Sequence, residues 1–193
     1  RVEFYFGDER CVPPDHPESN FHMVNEILFR PLGVVQKQIF RMRGEAVDPG
    51  QAALEYEGII REQFSTPFPV WPRFDLILLG LGDDGHTASL FPDTPALQEK
   101  TRAVVTTRAP HRIRDRITFT VPVINEAHAV VFLVSGVTKA DAVHEVLEGG
   151  PGLEYRYPAK LIQPAHGRLI WLLDREAASK LAVTKQQIEF DEE

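Results

Sequence analysis

Along the chain, short apolar runs alternate with stretches whose apolar residues return every three to four positions, and turn-forming residues separate them. Runs of apolar and β-branched residues at 2–6, 38–42, 76–79, 102–106, 117–121, 129–134 and 169–173 predict strands. Leu76-Ile77-Leu78-Leu79 is continuous, which predicts a fully buried strand. Helical signals lie between these runs. Ser19 is a candidate cap for a helix through Arg30, which Pro31 and Gly33 would stop. Asp48-Pro49 pairs an N-cap acid with proline in the first helical position, and predicts a helix to about Phe64. A third runs from Thr138 to Glu148, ended by Gly149-Gly150-Pro151, and Asp174 caps a fourth over 175–181.

Strands alternating with helices predict an α/β fold, a mostly parallel sheet with helices on both faces. No internal repeat or low-complexity segment interrupts it. Pro67, Pro69 and Pro72 make 64–73 a stiff loop rather than a linker, so 1–193 is expected to be one domain, with 184–193 an acidic tail. A length of 193 residues, 43% hydrophobic and 25% charged, is in the globular range and suffices to bury roughly 70% of the unfolded surface. A net charge of −7 argues against nucleic acid as a partner. No apolar run approaches the length needed to cross a bilayer, and no signal peptide is visible ahead of the first strand. The single cysteine, Cys11, excludes an internal disulfide, suits a reducing compartment and reads as a small buried hydrophobe.

The richest chemistry follows the strand at 76–79, in Gly80-Leu81-Gly82-Asp83-Asp84-Gly85-His86-Thr87-Ala88-Ser89. Glycines there allow a tight turn, and Asp84 and His86 fall where a helix is expected to begin. A carboxylate and an imidazole at the carboxyl end of a central strand suggest an acid/base site, because ligands of open α/β sheets gather at that edge. Gly80, Gly82 and Gly85 also fit the dinucleotide fingerprint G-x-G-x-x-G. Asp83 and Asp84 would then repel the diphosphate by about 1–4 kcal/mol at ~4 Å. The acid required ~20 residues on is Glu99, which precedes its strand instead of ending one. A nucleotide site is therefore not expected.

Other residues are predicted to converge on the same edge. Asp8 leaves the first strand where it can orient a base or bind a hydroxyl, and Arg10 can fork onto a phosphate or carboxylate. Lys139 opens a helix, where a cation opposes the macrodipole unless an anion occupies the helix end. Arg116 heads a strand, and Ser19-Asn20 reads first as a helix cap. His16, His22, His111, His128, His144 and His166 show no metal-ligand spacing, and no metal is expected.

Taken together these segments resemble the 6-phosphogluconolactonase family, within the glucosamine-6-phosphate isomerase/6-phosphogluconolactonase superfamily. The similarity lies in Gly80-x-Gly82-x-Asp84-Gly85-His86-Thr87-Ala88-Ser89-Leu90-Phe91-Pro92, in Asp8-Glu9-Arg10-x-Val12-Pro13 followed by Ser19-Asn20, and in Arg116-Ile117-Thr118. Gly136-x-x-Lys139-Ala140, Pro158-Ala159 and Trp171-x-x-Asp174-x-x-Ala177-Ala178 continue it in order. The resemblance implies a modified Rossmann-like, cytoplasmic enzyme without cofactor, hydrolysing 6-phosphoglucono-δ-lactone to 6-phosphogluconate in the pentose phosphate pathway. His86 would activate water, Asp84 would hold its tautomer, and Asp8 would assist. Arg10, Arg116 and Lys139 would hold the phosphate of a small-molecule sugar-phosphate lactone.

The family also carries a strand–helix unit ahead of the Asp-Glu-Arg segment, with a Ser-Gly-Gly-Ser/Thr-type phosphate loop. This chain starts seven residues before Asp8, so it is expected to be N-terminally incomplete and to lack that unit. Two alternatives have distinct signatures. An amino-sugar deaminase would release ammonia from glucosamine 6-phosphate, and a sugar-phosphate-sensing module would bind without turnover.

Overall fold

The structure, a computed structural model, describes residues 2–110 and 113–182, so the expected tail at 184–193 and His111 lie outside the described residues. Among the described residues the strands form three sheets. Strand β1 (Phe4–Tyr5) pairs in parallel with β3 (Ile39–Phe40). Strand β2 (Asp8–Arg10) runs antiparallel to β6 (Asp115–Phe119), which runs antiparallel to β5 (Val104–Arg108). Strands β4 (Ile77–Leu79), β7 (Ala129–Val134) and β8 (Arg168–Leu173) make a three-stranded parallel sheet, with β7 in the centre.

The helices begin where their caps allow. Ser19 Oγ accepts the His22 amide and starts α1 (Asn20–Val24), which continues as a π turn over Asn25–Phe29. Asp48 Oδ1 accepts from Gly50 and Gln51, with Pro49 leading α2 (Pro49–Phe64). Two shorter helices follow, α3 (Val121–Asn125) and α4 (Ala140–Leu147), the latter entered through a 3-10 turn at Val137–Lys139.

Several expectations change. The sequence did not reveal the antiparallel sheet: Asp8-Glu9-Arg10 is a strand within it, not a loop leaving a parallel one. The strand expected at 117–121 stops at Phe119, because Pro122 has no amide for a ladder and instead opens α3. The run at 76–79 is only half buried: Ile77 and Leu79 face the core while Leu78 is exposed, and Leu133 and Leu172 alternate outward in the neighbouring strands. No helix forms over 175–181. Asp174 does accept the Ala177 amide, but the bonds that follow mostly span three residues, and only turns result.

The large core lies between α2, α4 and the sheets. Helix α2 contributes Ala52, Ala53, Tyr56 and Ile60, of which Ile60, a large apolar side chain fully removed from water, is worth ~1.5–3 kcal/mol. Its buried Glu57 accepts from Arg61 Nε at 2.9 Å, Arg102 Nε at 2.8 Å and the Ala103 amide at 3.1 Å, fixing α2 to the start of β5. Phe132 of β7 stacks on Trp171 of β8 with ring centroids 4.0 Å apart. This packing holds the carboxyl end of β4, from which the site turn departs. Among the described residues no helix is long and apolar enough to cross a membrane.

Candidate active site

The turn after β4 is closed on itself. Gly82 N–H donates to His86 O at 2.8 Å, Gly85 N–H to Gly82 O at 3.0 Å, and Thr87 Oγ1 to Gly80 O at 2.8 Å. No helix begins at His86, contrary to expectation; the chain makes a small bridge between Thr87 and Leu90 and runs on as a loop. This geometry fits the dinucleotide fingerprint poorly. The Gly82 and Gly85 amides are used within the turn, and no helix begins at His86 to receive a pyrophosphate.

What the glycines permit is an Asp–His pair. His86 Nδ1–H donates to Asp84 Oδ1 at 2.5 Å, and the His86 amide donates to the same oxygen at 3.1 Å. In the neutral ring, with Nδ1 committed to a carboxylate, Nε2 holds the free lone pair. The imidazole rests against Phe91, ring centroids 4.6 Å apart. Burial alone would raise the Asp84 carboxyl, but the hydrogen bonds and charge from His86 outweigh it and hold the group below its ordinary value. A Cβ on Gly82 would lie 2.0 Å from His86 Nδ1 and 2.7 Å from Asp84 Oδ1, so only glycine leaves room for the ring. Gly85, at φ +76°, is pressed against Tyr157.

His86 lines a cleft of about 350 Å³ together with Asp8, Arg10, Asn20, Thr87 and Lys139. Four of the six predicted residues therefore meet in one cavity. Asp84 is joined to that cavity by its contact with His86. Arg116 lies one strand away, as the cross-strand partner of Arg10. Like charges directly opposite are unfavourable, and both Nε atoms are buried without a hydrogen-bond partner. Burial, followed by the charge of Arg10, pulls the Arg116 guanidinium below its ordinary value. Two guanidinium groups on paired positions of β2 and β6 concentrate positive charge beside the cleft, which favours an anion there. Arg10 is otherwise steadied by its Nη1, which donates to Glu18 O at 2.7 Å.

The surroundings contain residues that sequence reasoning overlooked. Asp8 accepts from Asn20 Nδ2 at 3.1 Å and from Ser89 Oγ at 2.6 Å, joining β2 to the His86 loop. Ser89 is fully buried, and its amide donates to Thr118 Oγ1 on β6. Glu9 faces away from the cleft and caps α1 through the Asn20 and Phe21 amides and Ser19 Oγ. Lys139 does have an anion, as the dipole argument requires, but the protein supplies it: Nζ lies 2.6 Å from Asp83 Oδ1. Only the Asn20 contact had a sequence signal, its place beside the Ser19 cap. Cys11 is pushed up to about 11, chiefly by burial and then by Asp115, which makes it a poor nucleophile. Among the described residues no three His, Cys, Asp or Glu side chains are grouped to hold a metal.

Comparison with known proteins adds an independent line. The family described as glucosamine-6-phosphate isomerases/6-phosphogluconolactonase matches residues 1–171. The 6-phosphogluconolactonase of Synechocystis sp. is 44% identical over 183 residues, covering 94% of this chain and 74% of the relative. A probable 6-phosphogluconolactonase of Arabidopsis thaliana is 39% identical over 186 residues, covering 92% and 69%. The solved 6-phosphogluconolactonase of Trypanosoma cruzi superposes with a TM-score of 0.82 at 30% identity, covering 94% of this chain and 73% of the other.

Proposed function

This chain belongs to the glucosamine-6-phosphate isomerase/6-phosphogluconolactonase family, and on that premise we propose how its cleft performs the chemistry. The chain is a lactone hydrolase, and its reaction converts 6-phosphoglucono-δ-lactone to 6-phosphogluconate. The observation that carries the mechanistic reading is the 2.5 Å contact between His86 and Asp84 in a cleft-lining turn. Asp84 keeps the proton on Nδ1, so Nε2 serves as the base.

A water bonded to Nε2 gives up a proton as its oxygen attacks the lactone carbonyl carbon. The carbonyl oxygen becomes an oxyanion. When that intermediate collapses, the bond from carbon to ring oxygen breaks, and the proton on Nε2 passes to the departing oxygen. His86 ends neutral, and the new carboxylic acid loses its own proton to solvent. Asp8, held by Asn20 and Ser89, is a fixed acceptor for a substrate hydroxyl. Arg10, Arg116 and Lys139 supply the charge that holds the phosphate.

We also place the protein in the cytoplasm, whose reducing conditions suit the free Cys11 thiol. The test of function is direct. Loss of the lactone is followed with and without protein, and the spontaneous rate is subtracted. Turnover above background is expected, without ammonia release from glucosamine 6-phosphate; absence of turnover, or ammonia release, overturns the reading.

A further inference from the structure

Asp83 and Lys139 come from different loops, the turn after β4 and the 3-10 turn before α4, and they meet at 2.6 Å beside the cleft. The two acids nearest to the chemistry are each anchored twice. Asp84 is held by the ring and amide of His86, and Asp8 by Asn20 and Ser89. Asp83 differs: among the described residues its carboxylate has no recorded partner but Lys139, and its side chain is 66% exposed. Among the described residues the Lys139 ammonium likewise pairs with Asp83 alone; its side chain is 27% exposed and lines the cleft. A pair with no other ties can separate without stranding a buried group. A phosphate arriving at Lys139 therefore meets a carboxylate of its own sign already in place.

We infer that Asp83 is a resident counter-ion of Lys139 which the substrate's phosphate displaces, so that it sets how tightly the cleft takes a phosphorylated sugar without setting its turnover. This rests on the reading of Lys139 as a phosphate ligand. In the empty protein the carboxylate keeps the ammonium compensated and facing the cleft. In the loaded protein it swings to solvent, and the energy of the lost pair is subtracted from the affinity for phosphate. The cost falls only on ligands that compete for Lys139. An unphosphorylated lactone leaves the pair intact and is unaffected.

The experiment compares wild type, Asp83→Asn, Lys139→Met and the double variant on 6-phosphoglucono-δ-lactone and on glucono-δ-lactone, with inorganic phosphate as a competing inhibitor. Asp83→Asn should lower KM for the phosphorylated lactone ~2–5-fold, the range open to a partly exposed ion pair. Phosphate should inhibit at correspondingly lower concentration. The kcat values, and KM for glucono-δ-lactone, should stay as in wild type. Lys139→Met should raise KM for the phosphorylated lactone, and in that background Asp83→Asn should have no further effect. An unchanged or raised KM in Asp83→Asn, with Lys139→Met behaving as expected, overturns the counter-ion role alone. An unchanged KM in Lys139→Met overturns the phosphate role of the lysine and the inference together. The same fall with and without Lys139 would show that Asp83 acts on substrate directly, which also overturns it.

Discussion

Replacing Gly82 by alanine tests how the turn builds its Asp–His pair. The backbone at Gly82 is not in the left-handed region, so a methyl group adds no conformational strain of its own. It adds a collision: the new Cβ would lie 2.0 Å from His86 Nδ1 and 2.2 Å from Cε1, where contacts shorter than 3.0 Å essentially never occur. The ring has to retreat by about 1 Å to clear it, since 3.0 less 2.0 is 1.0. That retreat takes Nδ1 away from the carboxylate now 2.5 Å from it and carries Nε2 with it. A misplacement of this size costs up to ~10²-fold in rate, and overpacking a buried turn costs ~1–3 kcal/mol in stability. Gly82→Ala should therefore fold, melt several degrees lower, and hydrolyse lactone with kcat reduced ~10²-fold. Gly80→Ala is the comparison, because a Cβ there meets nothing within 4 Å; its kcat should stay within a few-fold of wild type. Steady-state kinetics with a circular-dichroism melt decide the matter. A folded Gly82→Ala protein that keeps more than half of wild-type kcat would refute the reasoning.

Three further outcomes are expected. The Asp84 carboxyl is held below its ordinary value, so its contribution to stability is complete above the unfolded carboxylate pKa of ~3.9 and is lost as pH falls through the lowered folded one. The melting temperature of wild type should therefore exceed that of Asp84→Asn at neutral pH and converge with it in strong acid; a constant gap would contradict the assignment. Ser89→Ala removes a 2.6 Å hydrogen bond to the Asp8 carboxylate, and chemical denaturation should show a loss of ~1.5–3 kcal/mol, with a loss under 0.5 kcal/mol counting against the link. On the proposal that Arg10 and Arg116 hold the substrate's phosphate, inorganic phosphate should raise the melting temperature of wild type and should do so much less for Arg116→Met; equal shifts would place the anion elsewhere.

What could be read from the sequence is what local chemistry specifies. Asp48-Pro49 marks the start of α2 because cap and proline act within one turn, and Ser19 marks α1 for the same reason. Asp84 and His86 were visible because they are two residues apart on a glycine-rich turn. The contacts that complete the site were hidden by distance along the chain. Ser89 finds Asp8 across 81 residues, and Asp83 finds Lys139 across 56, that is 139 less 83. Neither spacing has a periodicity to betray it. The antiparallel β2–β6–β5 sheet was missed because alternation identifies strands but not the direction in which they pair. Leu78 was expected to be buried because an apolar run gives no sign that one face of its sheet is open.

The central claim is that His86, oriented by Asp84, takes the proton from the attacking water. The most direct measurement is kcat for 6-phosphoglucono-δ-lactone in His86→Ala beside wild type, with the uncatalysed hydrolysis subtracted and the fold checked by circular dichroism. The account predicts a fall of ~10²–10⁴-fold, the usual yield of general-base catalysis, in a protein that still folds. A folded His86→Ala protein with more than half of the wild-type kcat would contradict it.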